Sequence, residues 1–165
     1  QLLAAWEALS TERGAAQLAL VGRGPLEEEI RRREIPGVHL LGLMHDRDLS
    51  EAYASADIFV FPSATETFGN SLLEAMGSGL PSLAASAGGV LEFAQHGRNA
   101  WLVSPNSAAA LTLGLRRLMQ DVGLRAGLAE GALQTARERG WDQVYDRLLT
   151  DYQDAVESKR LIQAA

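Results

Sequence analysis

Short apolar runs alternate with longer amphipathic segments along the chain. The apolar runs predict β-strands at residues 18–21, 38–41, 58–61, 82–85 and 100–103. The amphipathic segments predict helices at about 26–34, 46–54, 70–78 and 90–95, then from 107 onward with breaks near 123 and 140 and a last helix over about 142–157. Strands separated by helices favour parallel pairing with right-handed crossovers. The pattern therefore predicts the α/β class, as one doubly wound, Rossmann-like parallel sheet.

Four loops follow the carboxyl ends of predicted strands, and we expect them to share one rim of the sheet. They comprise residues 22–24, 43–45, 63–70 and 88–89. Open sheets of this kind bind ligands outside the carboxyl ends of their strands. The binding site is therefore expected on this rim.

The most informative loop joins the third strand to the helix that starts at Asn70. Gly69, Asn70 and Ser71 are suited to a helix start, where free backbone N–H groups form an anion site. Two carboxylates flank this start, Glu66 before the helix and Glu74 inside it. This arrangement suits a ligand with phosphate in the middle and hydroxyls at both ends, such as a nucleotide-sugar.

Each of these residues also has a plainer interpretation. Glu74 lies one helical turn after Asn70, and its side chain leans back toward the helix start, where it can accept hydrogen bonds from a diol; it could equally be a solvated helix acid. Glu66 is placed to hold sugar hydroxyls or to remain solvated. Gly69 permits close backbone approach or serves as a simple turn. The motif as a whole favours the functional interpretation.

Other candidate motifs are weaker. Gly22-x-Gly24 is only part of a dinucleotide-binding pattern, because Glu27 stands where the third glycine is needed. His39 is expected to be packed within a strand, and His45 lies in a rim loop. The three histidines show no metal-ligand spacing, so no metal site is predicted.

Composition narrows the class of protein further. The 165 residues, 47% of them hydrophobic, are sufficient for one packed domain over 1–165. A net charge of −6 without a basic face argues against nucleic acid as a partner. The absence of cysteine excludes disulfides and thiolate metal sites, and no apolar run approaches the ~18 residues of a membrane span. The chain starts without Met and without a signal peptide, so we expect a fragment of a longer, cytoplasmic protein.

Together these motifs resemble one family. The run 66–81 closely resembles the Glu-x7-Glu motif of retaining GT-B glycosyltransferases, the group called family 4 or "glycosyl transferases group 1". Further similar segments, in the order typical of that family, are residues 20–26, 41–42, 56–63, 88–92 and 97–103. The resemblance covers nearly the whole chain and implies the C-terminal, donor-binding half of a GT-B fold.

The resemblance implies a role for each matched position. Glu66 is expected to hold the 3- and 4-hydroxyls of the donor sugar and is the candidate catalytic residue, while Glu74 holds the ribose diol. Leu43 or Met44 is expected to contact the base through its backbone, with Gly22 close by. Backbone contacts to the sugar and diphosphate are expected from the helix-start residues Phe68, Gly69, Asn70, Ser71 and Leu72, the last three presenting N–H groups to phosphate.

The family's reaction moves a sugar from a nucleotide diphosphate donor to an acceptor hydroxyl with retained configuration, generally without a metal ion. The resemblance therefore implies a nucleotide diphosphate sugar as substrate, with no cofactor and no metal. An Arg/Lys pair that neutralises the pyrophosphate is expected upstream of residue 1, as is the N-terminal acceptor domain. The last helix is expected to cross back to that domain, which would also make any peripheral membrane contact. The isolated half is expected to be inactive.

Two alternatives are left open by the sequence. One is a non-catalytic nucleotide-sugar binding module that has kept the fold, and the other is a GT-B epimerase or phosphorylase. The Glu-x7-Glu spacing and the Phe-Gly-Asn turn favour a transferase. The motifs do not indicate which nucleotide base, donor sugar or acceptor is bound, nor the oligomeric state.

Overall fold

The structure is a computed structural model that describes residues 1–164. Its strands are β1 (Leu18–Val21), β2 (Val38–Gly42), β3 (Phe59–Phe61), β4 (Ser82–Ala85) and β5 (Trp101–Val103). Its helices are α1 (Leu2–Ala8), α2 (Glu27–Arg33), α3 (Asp46–Ala54), α4 (Asn70–Gly77), α5 (Ala108–Gln120), α6 (Val122–Arg137) and α7 (Trp141–Ala164), with a 3₁₀ helix at Gly88–Glu92. The predicted α/β class is confirmed.

All strand pairs are parallel, as predicted, but they form two sheets rather than the one sheet expected. β1 pairs with β2, and β4 lies between β3 and β5. Within residues 1–164, β1 and β3 share no ladder. An apolar run predicts where a strand forms, whereas pairing between distant strands depends on the packing around them. This break could therefore not be predicted from the runs.

Helix α1 connects the two sheets. Its buried residue Ala5, and Leu9 directly after the helix, belong to the core cluster that contains Leu83 of β4. Trp6 donates its Nε1–H to the carbonyl of Pro36, just before β2, at 3.1 Å. One helix therefore packs against the larger sheet and hydrogen-bonds to the segment that enters the smaller one.

Helix α4 is fixed by burial of its apolar face. Leu72, Ala75 and Met76 are buried, and Leu72 and Met76 share a core cluster with Ala84 of β4 and with Val90. Burying a leucine or methionine side chain contributes about 1.5–3 kcal/mol relative to leaving it exposed. The packing holds the start of α4 near the carboxyl end of β3.

Helix boundaries follow local signals, with three differences from expectation. α4 stops before Gly79, whose φ is +73°, as predicted. The break expected near 123 lies at Asp121, because its side chain caps α6 by accepting from Leu124 N–H at 2.8 Å. The helix expected at 90–95 is instead the 3₁₀ helix, which starts two residues earlier, and α7 extends to Ala164.

Candidate functional site

The start of α4 presents two unpaired backbone donors. Gly69 precedes the helix with φ of +97°, a left-handed conformation that glycine adopts readily. The N–H groups of Leu72 and Leu73 both donate to the carbonyl of Gly69, at 3.0 and 3.1 Å. Among the described residues, the N–H groups of Asn70 and Ser71 have no hydrogen-bond partner. Of the three expected phosphate donors, Leu72 is thus already engaged, and the other two are free at the positive end of the helix dipole.

Glu66 folds back onto the loop that carries it. Its Oε1 accepts hydrogen bonds from the backbone N–H groups of Thr67 and Phe68, at 3.1 and 3.4 Å. In the part of the chain that the structure describes, Oε2 has no hydrogen-bond partner. One oxygen therefore shapes the turn, and the other is available to a ligand.

The Gly88–Gly89 segment crosses the same loop at backbone distance. A Cβ on Gly88 would lie 2.2 Å from the carbonyl oxygen of Glu66, and one on Gly89 would lie 2.0 Å from that of Thr67. Gly89 also donates its N–H to the carbonyl of Glu66 at 3.1 Å. Two of the predicted rim loops are therefore in direct contact, and only glycine fits at the crossing.

Phe68 leaves the loop as an exposed ring and packs on Phe93, with 6.0 Å between ring centroids. Phe93 lies in a segment anchored by Asn99, which is only 2% exposed. The amide of Asn99 accepts from Gln95 N–H at 2.6 Å and donates at 2.8 Å to the carbonyl of Phe93 and to Thr135 Oγ1 on α6. Helix α6 is thereby linked to the loop that carries Phe68, through Asn99 and Phe93.

Glu74 is exposed on α4, and its carboxylate is held by a residue that the sequence analysis missed. The hydroxyl of Tyr53, at the end of α3, donates to Glu74 Oε2 at 3.0 Å and lies 3.3 Å from the carbonyl of Ser71. Burial, followed by the hydrogen bond to Glu74, raises the pKa of Tyr53 to about 12. Tyr53 precedes Glu74 by 21 positions on a different helix, so no local signal joins the two.

Gly22, Leu43 and Met44 lie at the carboxyl end of the smaller sheet. Gly22 has φ of +117° and donates its N–H to the carbonyl of Gly42 at 2.7 Å. Leu43 is 59% exposed, whereas Met44 is partly buried. The structure brings these three residues together, and α3, which follows them, provides Tyr53 as the link to α4.

The remaining polar candidates serve other purposes. His39, expected to be packed, is exposed and places Nε2 2.8 Å from Gln17 Oε1. That expectation was wrong because alternate residues of β2 face solvent. Arg47, in the first turn of α3, pairs with Glu51 at 2.7 Å. In residues 1–164, no three acidic, His or Cys side chains converge on a metal position, and none of the helices there combines the length and apolarity that crossing a membrane requires.

Comparison with known proteins identifies the class that this fold and loop define. The family profile "Glycosyl transferases group 1" matches residues 1–121. The chain is 36% identical over 131 residues to the sulfoquinovosyl transferase SQD2 of Arabidopsis thaliana, covering 76% of this chain and 26% of that protein. It is 38% identical over 109 residues to the D-inositol 3-phosphate glycosyltransferase of Salinispora arenicola, covering 66% of this chain and 24% of that one. The chain belongs to the glycosyl transferases group 1 family.

A solved structure agrees in fold. Anabaena HepE in complex with UDP-glucose superposes with a TM-score of 0.79 at 25% identity, over 93% of this chain and 44% of that chain. This chain thus spans about a quarter of the curated relatives and less than half of the structural one.

Proposed function

We propose that the chain is the donor-binding part of a retaining glycosyltransferase that moves a hexosyl group from a nucleotide diphosphate sugar to an acceptor hydroxyl. One observation carries the proposal: Glu66 and Glu74 flank the free N–H groups of Asn70 and Ser71 at the start of one helix. Family membership and the complex of HepE with UDP-glucose support it.

The chemistry of the three positions matches the three parts of such a ligand. The N–H groups at the start of α4 are suited to the diphosphate and to the charge that grows on it as the sugar leaves. The free Oε2 of Glu66 accepts from sugar hydroxyls, which makes Glu66 the proposed catalytic residue. Glu74 accepts from the ribose diol. Gly22, Leu43 and Met44 are proposed to contact the base.

Binding to the chain is the first test. Calorimetric titration with UDP, GDP and ADP should show that one of them binds. Glu74→Ala should then weaken that binding by about 1–3 kcal/mol, because a carboxylate accepting from a diol is lost. The matched control is Glu130→Ala, since Glu130 is an exposed acid on α6, and it should leave the affinity unchanged.

Each outcome has a definite meaning. Equal affinity of Glu74→Ala and wild type would remove the ribose role from Glu74. Failure of the wild type to bind any of the three nucleotides would contradict donor binding by this chain. The proposal involves no metal ion, so the affinity should be the same in the presence of a chelator.

We further propose that the chain is joined to an N-terminal acceptor domain on which α7 packs. Exposed apolar residues on α7 include Val144, Leu148, Leu149, Tyr152 and Val156. Clusters of exposed apolar side chains commonly mark contact surfaces, and the relatives are far longer than this chain. Amides of α7 should exchange hydrogen more slowly in a longer protein containing this chain than in the chain alone. Equal exchange rates would contradict this arrangement.

A further inference from the structure

We propose that Tyr53 is a positioning residue for Glu74, whose carboxylate it holds in the orientation that receives ligand hydroxyls. The inference rests on the proposed function, because the ligand hydroxyls are those of the ribose. It adds a residue on α3 to a site that the sequence places entirely in the loops and in α4.

The hydrogen bond from Tyr53 is selective for one oxygen of the carboxylate. The tyrosine hydroxyl has a single proton, and its two candidate acceptors are Glu74 Oε2 at 3.0 Å and the carbonyl of Ser71 at 3.3 Å. The carboxylate is nearer and charged, and charge-assisted hydrogen bonds are the stronger ones. The proton is therefore directed to Oε2. Among the described residues, Oε1 has no hydrogen-bond partner and is left for the ligand.

The tyrosine is itself held in place. Its ring meets Phe59 of β3 edge-on, with centroids 5.7 Å apart and planes at 62°, and Phe59 stacks on Phe61 with 6.1 Å between centroids. Tyr53 is partly buried, whereas Glu74 is exposed. An exposed glutamate has three rotatable side-chain bonds and samples many rotamers, while tyrosine has two and is here packed. The rigid partner therefore limits the motion of the flexible one.

The hydroxyl stays a donor across the neutral range, because the pKa of Tyr53 is raised to about 12 by burial and by Glu74. It can thus donate its proton to Glu74 throughout the neutral range. Oε2 retains a second lone pair, so the tyrosine does not block the diol.

A purely structural role for Tyr53, joining α3 to α4, makes a different prediction from a positioning role. Tyr53→Phe keeps the ring contacts and removes only the hydroxyl. A positioning role predicts that the variant discriminates less between a nucleotide and its deoxy forms, because Glu74 is no longer held toward the ribose hydroxyls. A structural role predicts a lower melting temperature with unchanged ribose recognition.

The experiment compares nucleotides that differ by one hydroxyl. Whichever of UDP, GDP and ADP binds the wild-type chain is titrated together with its 2′-deoxy and 3′-deoxy forms, into wild type, Tyr53→Phe and Glu74→Gln. In Tyr53→Phe the parent nucleotide should bind about 3- to 10-fold more weakly, as for loss of one net hydrogen bond, and the penalty for removing a ribose hydroxyl should shrink. Tyr152→Phe is the matched control, because Tyr152 is an exposed tyrosine on α7, and it should behave like wild type.

The double variant Tyr53→Phe/Glu74→Gln completes a cycle, in which the effects of the two changes should not add. If Tyr53→Phe binds the parent nucleotide as wild type does and keeps the full deoxy penalty, the positioning role is overturned while donor binding stands. Additive effects in the cycle would also overturn it. If wild type binds no nucleotide, donor binding itself fails and the inference fails with it.

Discussion

The backbone crossing between Gly89 and the site loop leads to a sharp prediction for Gly89→Ala. A Cβ at this position would lie 2.0 Å from Thr67 O, 2.6 Å from Thr67 C and 2.8 Å from Phe68 Cα. All three are backbone atoms, so no side chain can rotate away. Ordinary van der Waals contact begins at 3.4 Å, and the two segments must therefore separate by about 1.4 Å at the crossing.

The cost of this separation has two parts. Overpacking in a well-packed region destabilises by about 1–3 kcal/mol. The hydrogen bond from Gly89 N–H to Glu66 O, 3.1 Å long, would stretch beyond its normal range, at about 0.5–1.5 kcal/mol. We expect a loss of about 2–4 kcal/mol in the free energy of unfolding. Nucleotide binding should also weaken, because the displaced loop carries Glu66.

Urea unfolding with linear extrapolation measures the first effect, and calorimetric titration measures the second. The matched control is Gly127→Ala in α6. A Cβ there has nothing within 4 Å, and replacing a helix-interior glycine should stabilise by about 0.5–1 kcal/mol. If Gly89→Ala unfolds at the same urea concentration as wild type, the loops do not cross at backbone distance and the reasoning is refuted.

Three further predictions concern a buried amide, a helix cap and the titration of Tyr53. Asn99→Ala removes a buried amide with three hydrogen bonds and should lower the free energy of unfolding by about 2–4 kcal/mol. Thr135→Val removes one of these three hydrogen bonds and should lower it by about 1 kcal/mol. Equal effects of the two variants would contradict the hydrogen-bond network of Asn99. Ser107→Ala removes the α5 cap and should cost about 1 kcal/mol in the same urea assay, a result that unchanged stability would refute. Tyrosinate absorbance should show Tyr53 titrating near pH 12, and Glu74→Gln should lower that pKa while burial keeps it above the usual 10. Because the pKa of Tyr53 is raised on folding, the protonated tyrosine stabilises the folded state fully below pH 10, and this stabilisation is lost as the pH rises through about 12. Titration of Tyr53 at its ordinary pKa would contradict its burial and its hydrogen bond to Glu74.

Much of the architecture could be predicted because it depends on local patterns. Predicted strands at 18–21 and 82–85 match β1 and β4, and the start of α4 at Asn70 was predicted from the residues suited to begin a helix. These elements are set by runs of a few residues and by the capping preferences at their ends. The break between α5 and α6 was predicted near Gly123 but lies at Asp121, the residue that caps α6.

The two acidic residues of the candidate site were predicted from the sequence, but the residues that hold them and their loop in place were not. Glu66 and Glu74 belong to one continuous motif, in which Glu66 precedes α4 and Glu74 lies within it. Their roles toward a ligand are still predictions. Tyr53 and Asn99 act across distances of 21 and 36 positions, to Glu74 and Thr135, and no spacing rule joins such pairs.

The sequence by itself determined the α/β class, the family and the motif that contains Glu66 and Glu74, since each depends on patterns within short continuous segments. Only the tertiary structure decided that the strands form two sheets, that the Gly88–Gly89 segment crosses the loop at backbone distance, and that Tyr53 meets Glu74. Each of these is a contact between segments far apart in the chain. Such contacts arise because the whole core must pack without voids or clashes, a condition that no local window of sequence contains.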